Sequence, residues 1–189
     1  MRVIAGTARS MPLTAPKGDG TRPTTDRIKE TLFNVIQAYI PGGVFVDLFA
    51  GSGAVGIEAL SRGAKCAYFV DNNRQALDCI GDNLKFTKLE SKATVIGRNA
   101  ADALFEIKEK ADVVFIDPPY SLGIEKEIMK ALKKSSILTG ETIVIIEADV
   151  NNALEGITEL GFDVYKEKIY KTNKHVFYRL TDGEDGDSV

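Results

Sequence analysis

The sequence is poor in metal-binding and redox side chains, with one histidine and two cysteines among 189 residues. Cys66 and Cys79 are too far apart for a CxxC pair and His175 stands alone, so the chain cannot assemble a Cys/His zinc cluster by itself. No metal is expected, and the thiols read as reduced. No apolar run approaches the ~18 to 20 residues that span a bilayer. The start, Met1-Arg2-Val3-Ile4-Ala5, leads into Gly, Thr and Arg rather than a secretory hydrophobic region. A cytoplasmic location is the expectation.

An excess of positive charge is also missing, since the net charge is -3. Its distribution changes that reading. Asp182, Glu184, Asp185 and Asp187 lie in the last nine residues without a basic partner, so residues 1–180 carry a net +1. Residues 1–40 carry +3, with Arg2, Arg9, Lys17, Arg22, Arg27 and Lys29 set against Asp19, Asp26 and Glu30. Arg2, Arg9, Lys17 and Arg22 thus form a candidate phosphate-facing arm. The segment 181–189 has almost nothing apolar to bury and is expected to be disordered.

The rest of the composition, 44% hydrophobic and 27% charged, fits one globular domain rather than two. We divide it into a basic arm or short hairpin over 1–23 and an α/β core over 24–180. Short apolar runs at 44–46, 67–70, 94–96, 113–116 and 143–146 alternate with amphipathic segments. That alternation predicts buried parallel strands joined by helices. Near the end, 162–165 and 175–178 lack an intervening helix and predict an antiparallel pair closing one sheet edge. Thr24-Thr25-Asp26 caps an amphipathic helix that ends at Pro41-Gly42-Gly43, before the first core strand.

Val44-Phe45-Val46-Asp47-Leu48-Phe49-Ala50-Gly51-Ser52-Gly53-Ala54 reads as a strand, a glycine-rich turn and the start of a helix. Glycines allow close backbone approach, and a helix N-terminus offers free amides, so Ala50 to Gly53 form a candidate ligand cradle. Gly51, Gly53 and Gly56 also match GxGxxG. Asp71, beside Asn72, lies 20 residues beyond Gly51, which suits a nicotinamide dinucleotide as well.

Asp47 separates the two ligands. A strand-end carboxylate there suits a cationic ligand such as S-adenosylmethionine, whose ammonium it can pair with, whereas a pyrophosphate would meet like charge. Asp71 then accepts the ribose hydroxyls. By itself Asp71 also reads as a turn former beside Asn72 and Asn73.

The run at 113–116 is followed by Asp117-Pro118-Pro119-Tyr120. A buried strand therefore delivers a carboxylate, a stiff backbone and an aromatic ring to the carboxyl edge of the sheet, where ligands bind in open α/β folds. Asp117 and the Pro118 carbonyl can accept both hydrogens of a planar amine while Tyr120 stacks on a base. A plain strand-terminating turn is the structural alternative.

These four residues resemble the DPPY motif of amino-group methyltransferases, which act on exocyclic nitrogens of adenine, cytosine or guanine. From Met1 to about Leu180 the chain resembles the bacterial RsmD family of 16S rRNA guanine-N2 methyltransferases. The resemblance is strongest over Thr21-Arg22-Pro23-Thr24-Thr25-Asp26-Arg27-Ile28-Lys29-Glu30-Thr31-Leu32-Phe33-Asn34 and Asp47-Leu48-Phe49-Ala50-Gly51-Ser52-Gly53. It implies a Rossmann-like class I S-adenosylmethionine-dependent fold. It also implies adenine contacts from Asn99 and Ala100, and closure of Thr24 and Arg27 over the methionine end.

The chain departs from many relatives where Arg9 is followed by Ser10-Met11-Pro12-Leu13 without a second basic residue. The resemblance implies 16S rRNA within small-subunit particles as partner, and a monomer is expected. Adenine or cytosine methylation in DNA or another RNA, dinucleotide oxidoreduction and catalytically silent RNA binding remain the other readings. His175 is assigned a structural or surface role rather than that of a general base.

Overall fold

The computed structural model describes residues 1–16, 26–119 and 122–181. Seven strands form one sheet: β1 (Val44–Asp47), β2 (Cys66–Val70), β3 (Ala93–Ile96), β4 (Val113–Ile116), β5 (Ile143–Asp149), β6 (Phe162–Ile169) and β7 (Asn173–Leu180). Their order is β3-β2-β1-β4-β5-β7-β6. The first five are parallel, and β7 pairs antiparallel with both β5 and β6. β1, β4 and β5 are buried along nearly their whole length, which explains their unbroken apolar runs. A parallel sheet covered on both faces has no solvent side to receive polar residues.

Two apolar layers enclose the sheet. On one face lie α1 (Asp26–Ile36), α2 (Ala54–Ser61) and α3 (Arg74–Thr87), packed with Phe45, Phe115, Ile145 and Phe177. On the other lie α4 (Ala100–Ala103) and α5 (Glu125–Lys134), packed with Val46, Val114, Ile116 and Val144. The alternation of side chains along each strand divides the two sets. No helix among the described residues is long and apolar enough to cross a membrane.

Residues 1–13 fold back on themselves, with Val3 N–H donating to the Met11 carbonyl at 3.0 Å and Ser10 N–H to that of Val3 at 2.9 Å. Side chains of the core hold this turn in place. Glu58 accepts from Ile4 N–H at 2.8 Å and Ala5 N–H at 3.0 Å, Ser61 Oγ from Ala8 N–H, and Asn83 Oδ1 from Thr14 N–H. Glu58 also pairs with the fully buried Lys29 at 3.2 Å and with Arg62 at 2.7 Å, and Lys29 donates to the Arg2 carbonyl.

The carboxyl ends of β1 and β4 face the crevice where the connections diverge, β1 leading toward β2 on one side while β4 sits on the other. In open α/β sheets ligands bind at this switch point.

Candidate active site

A cavity of about 840 Å³ opens at that switch point. Its walls come from the ends of β1, β4 and β5, the turn before α2, the start of α3 and the arm residues Met1, Ala15 and Pro16. Of the residues assigned from sequence to the cofactor, Asp47, Ala50, Gly51, Ser52, Asp71, Asn72, Asn99 and Ala100 line it, as do Asp117, Pro118 and Pro119.

Gly53 and Arg27 do not line the cavity. Gly53 has φ +77°, and a Cβ there would point at Ile80 and Phe69, so this glycine serves the turn and the core. Gly56 is a packing residue: a Cβ would lie 2.4 Å from the Phe69 ring. Arg27 is exposed on α1, whereas its neighbour Ile28 reaches the cavity. Lys17, Arg22, Thr24, Tyr120 and the tail from 182 lie outside the described residues.

Asp71 holds the glycine turn to the end of β2. One of its oxygens accepts from Gly51 N–H and the other from Asn73 N–H, both at 2.9 Å. It is therefore both a turn former and a wall of the cavity, with the remaining lone pairs of its oxygens available as acceptors. Asn99 caps α4, accepting from Asp102 N–H at 2.9 Å, and sets Ala100 against the cavity.

Asp47 is 1% exposed. One oxygen accepts from Gly56 N–H at 3.3 Å, while Oδ1 is buried without a hydrogen-bond partner. Burial pushes its carboxyl up to about 7, a rise opposed by the Gly56 amide and reinforced by Asp71. A cation beside Oδ1 would satisfy the orphan acceptor and favour the ionised form. S-adenosylmethionine fits this requirement: Asp47 would hold its ammonium and Asp71 its ribose.

Asp117 makes no hydrogen bond or ion pair among the described residues, and its carboxyl is raised by burial first, then by Glu147 and Asp47. The Pro119 carbonyl is occupied by Leu122 N–H at 3.0 Å, whereas that of Pro118 accepts nothing among the described residues. Among the described residues, both acceptors are thus open on the cavity wall. Among the described residues, no three His, Cys, Asp or Glu side chains are grouped to hold a metal ion.

A family model described as Conserved hypothetical protein 95 matches residues 1–179. The chain belongs to this family, the RsmD family. Ribosomal RNA small subunit methyltransferase D of Escherichia coli strain K12 is 35% identical over 180 residues, covering 95% of this chain and 88% of that one. The protein of the same name from Haemophilus influenzae is 36% identical over 183 residues, covering 95% and 92%. A solved structure described as methyltransferase yhhF of Escherichia coli superposes with a TM-score of 0.82 at 32% identity, covering 96% of this chain and 98% of its own. This RsmD-family protein is therefore a methyltransferase with the class I fold, and its methyl donor is S-adenosylmethionine. The dinucleotide reading of the glycine turn falls with that assignment.

Sequence reasoning missed Glu147 and Asn173, which also line the cavity. The same rule that singled out Asp47 and Asp117 applies to Glu147, an acid directly after the apolar run 143–146. His175 is wholly buried, with Nε2 2.8 Å from Glu147 Oε2.

Proposed function

We propose that this protein methylates the exocyclic N2 of a guanine in 16S rRNA of the small ribosomal subunit, in the cytoplasm and as a monomer. The observation that carries the reading is the pairing of two open acceptors, Asp117 and the Pro118 carbonyl, with the buried, cation-seeking Asp47 in one cavity. The names of the relatives support rRNA as the substrate.

When bound, S-adenosylmethionine supplies a methyl group activated by its sulfonium. An aromatic amine is a poor nucleophile because its lone pair is delocalised into the ring. Hydrogen bonds from its two hydrogens to Asp117 Oδ and Pro118 O favour the pyramidal nitrogen that attacks. Near-attack positioning of two reactants is in general worth up to roughly 7–11 kcal/mol of a barrier. Once alkylated, the nitrogen gives up a proton, and Asp117 receives it on a carboxyl already tuned upward by burial.

The base is turned out of its stack to reach the cavity, at a cost of about a few kcal/mol, and Tyr120 provides the stacking face. Arg9, exposed and without an ion pair among the described residues, and Arg2, paired with Asp26 at 2.9 Å on the surface, contribute to the RNA-facing side together with Lys17 and Arg22.

Tritiated cofactor offered in parallel with naked 16S rRNA, small-subunit particles and DNA tests the reading. Label on N2 of one guanine in rRNA is the expected result. Label on adenine or cytosine, or on DNA alone, overturns it.

A further inference from the structure

Asp117 and Pro118 explain how an amine is held, but they do not choose among bases. Guanine, adenine and cytosine each carry an exocyclic amine with two hydrogens. The neighbouring ring nitrogen differs: guanine presents N1–H, a donor, whereas adenine N1 and cytosine N3 present lone pairs. An enzyme that reads the Watson–Crick edge of a flipped base can discriminate at that atom.

The sheet places a second acceptor beside Asp117. Ile116 pairs with Ile146 at the end of the β4–β5 ladder, so Asp117 and Glu147 follow side by side. Asp47, Phe115, Ile145 and Phe177 are cross-strand partners in one row. Glu147 and His175, paired across β5 and β7, form the next row on the same face, and Asp117, one residue past the last β4–β5 pair, is near enough to feel the Glu147 charge. Glu147 is 5% exposed and lines the cavity.

Its two oxygens are fixed from behind. Asn173 Nδ2 donates to Oε1 at 2.7 Å, and His175 Nε2 lies 2.8 Å from Oε2. His175 is itself held by Tyr170 Oη, 3.4 Å from Nδ1, and by perpendicular contacts with the Phe115 and Phe177 rings. Such a carboxylate has lone pairs to offer the cavity and little freedom to turn away.

We infer that Glu147 is the specificity residue of this enzyme, accepting the ring N1–H of guanine while Asp117 accepts from the adjacent amine. The inference rests on the proposed base-amine substrate and adds the reason for choosing guanine. Adenine or cytosine would set a ring lone pair against the fixed carboxylate, so that two acceptors face each other and the hydrogen bond that guanine makes there is lost. Sites built to hydrogen-bond a substrate group reject analogues lacking it far more strongly than apolar pockets reject a missing methylene.

The test uses full-length protein and small-subunit particles in which the target guanine is replaced by 2-aminopurine. This base keeps the 2-amine but has a bare ring nitrogen in place of N1–H. Wild-type protein should prefer guanine by roughly two orders of magnitude or more in kcat/KM. In Glu147→Gln the amide can turn an N–H toward the ring nitrogen, and the preference should shrink at least about tenfold. A merely structural role would lower transfer to both substrates alike and leave the ratio unchanged, which overturns the inference, as does a wild-type enzyme indifferent to the replacement.

Thermal unfolding and calorimetric binding of S-adenosylmethionine monitor folding independently of transfer. Should Glu147→Gln fail to fold, Asn173→Ala, which frees one carboxylate oxygen to turn, must narrow the same ratio, and an unchanged ratio there is equally fatal. Failure of the substrate reading shows separately, as wild-type label on no guanine N2.

Discussion

Two groups of buried and half-buried ionisable side chains lie on the same side of the sheet, and they are completed differently. At the base of the amino-terminal turn, Glu58 is surrounded by Lys29, Arg62 and the Ile4 and Ala5 amides. Lys29 is closed as well, by Glu58 and the Arg2 carbonyl. At the cavity, Asp47 keeps an orphan oxygen and Asp117 has no partner among the described residues. A buried charge cluster that is fully paired holds parts of the fold together, whereas one left open is a site for a ligand that brings the missing donors and positive charge.

The contrast can be broken most severely at Asp117. Asp117→Ala should cut methyl transfer by roughly 10²–10⁴-fold, while the calorimetric dissociation constant for S-adenosylmethionine stays nearly unchanged. Unaltered turnover would remove Asp117 from the reaction.

The closed cluster should respond in stability instead. Glu58→Ala strands Lys29 in the interior and releases the arm, with an expected loss of about 3–5 kcal/mol in denaturant unfolding. Replacing Lys29 and Glu58 together by apolar residues of similar size should recover much of that loss.

The openness of Asp47 carries a cost in the free protein. Its folded carboxyl is raised from 3.8 to about 7, so the folded state holds the proton more tightly than the unfolded state. The associated stability is fully present below the unfolded value and is lost as pH rises through about 7. Asp47→Asn should therefore stabilise the ligand-free protein above pH 7 by no more than about 4 kcal/mol and flatten its pH dependence. The same variant should bind S-adenosylmethionine more weakly. In the wild type that affinity should fall as pH drops below 7, because the ammonium requires the ionised carboxylate. Affinity independent of pH between 6 and 8 would detach Asp47 from the cofactor.

The smallest effect is expected at Arg9. Arg9→Ala should weaken RNA binding only a few-fold and reduce the salt dependence of binding by about one phosphate contact, with no change in thermal midpoint. A salt slope equal to that of the wild type would remove Arg9 from the RNA-facing side.

Much of this architecture is legible along the chain. The runs 44–46, 67–70, 94–96, 113–116 and 143–146 predict the five parallel strands, and 162–165 and 175–178 the antiparallel pair. Each strand is identified by its own near-neighbour pattern. The glycine turn and the strand-end acids Asp47, Asp71 and Asp117 are legible for the same local reason. Arg27 shows where such reading ends: it lies close in sequence to the cavity-lining Ile28 but points to solvent, and helix phase depends on how α1 packs on the sheet.

The strand–helix alternation, the turn before α2 and the carboxylate that ends β4 are local properties of the chain, because hydrophobic periodicity and backbone preference act over a few residues. Long-range assembly is what brings Met1, Ala15 and Pro16 to the cavity and inserts β7 beside β5, setting Asn173 and His175 onto Glu147. Those contacts join residues 26 and 28 positions apart. Which buried acid is closed by a neighbour and which is left open depends on strand order, register and helix packing, and these are fixed only when the whole fold assembles.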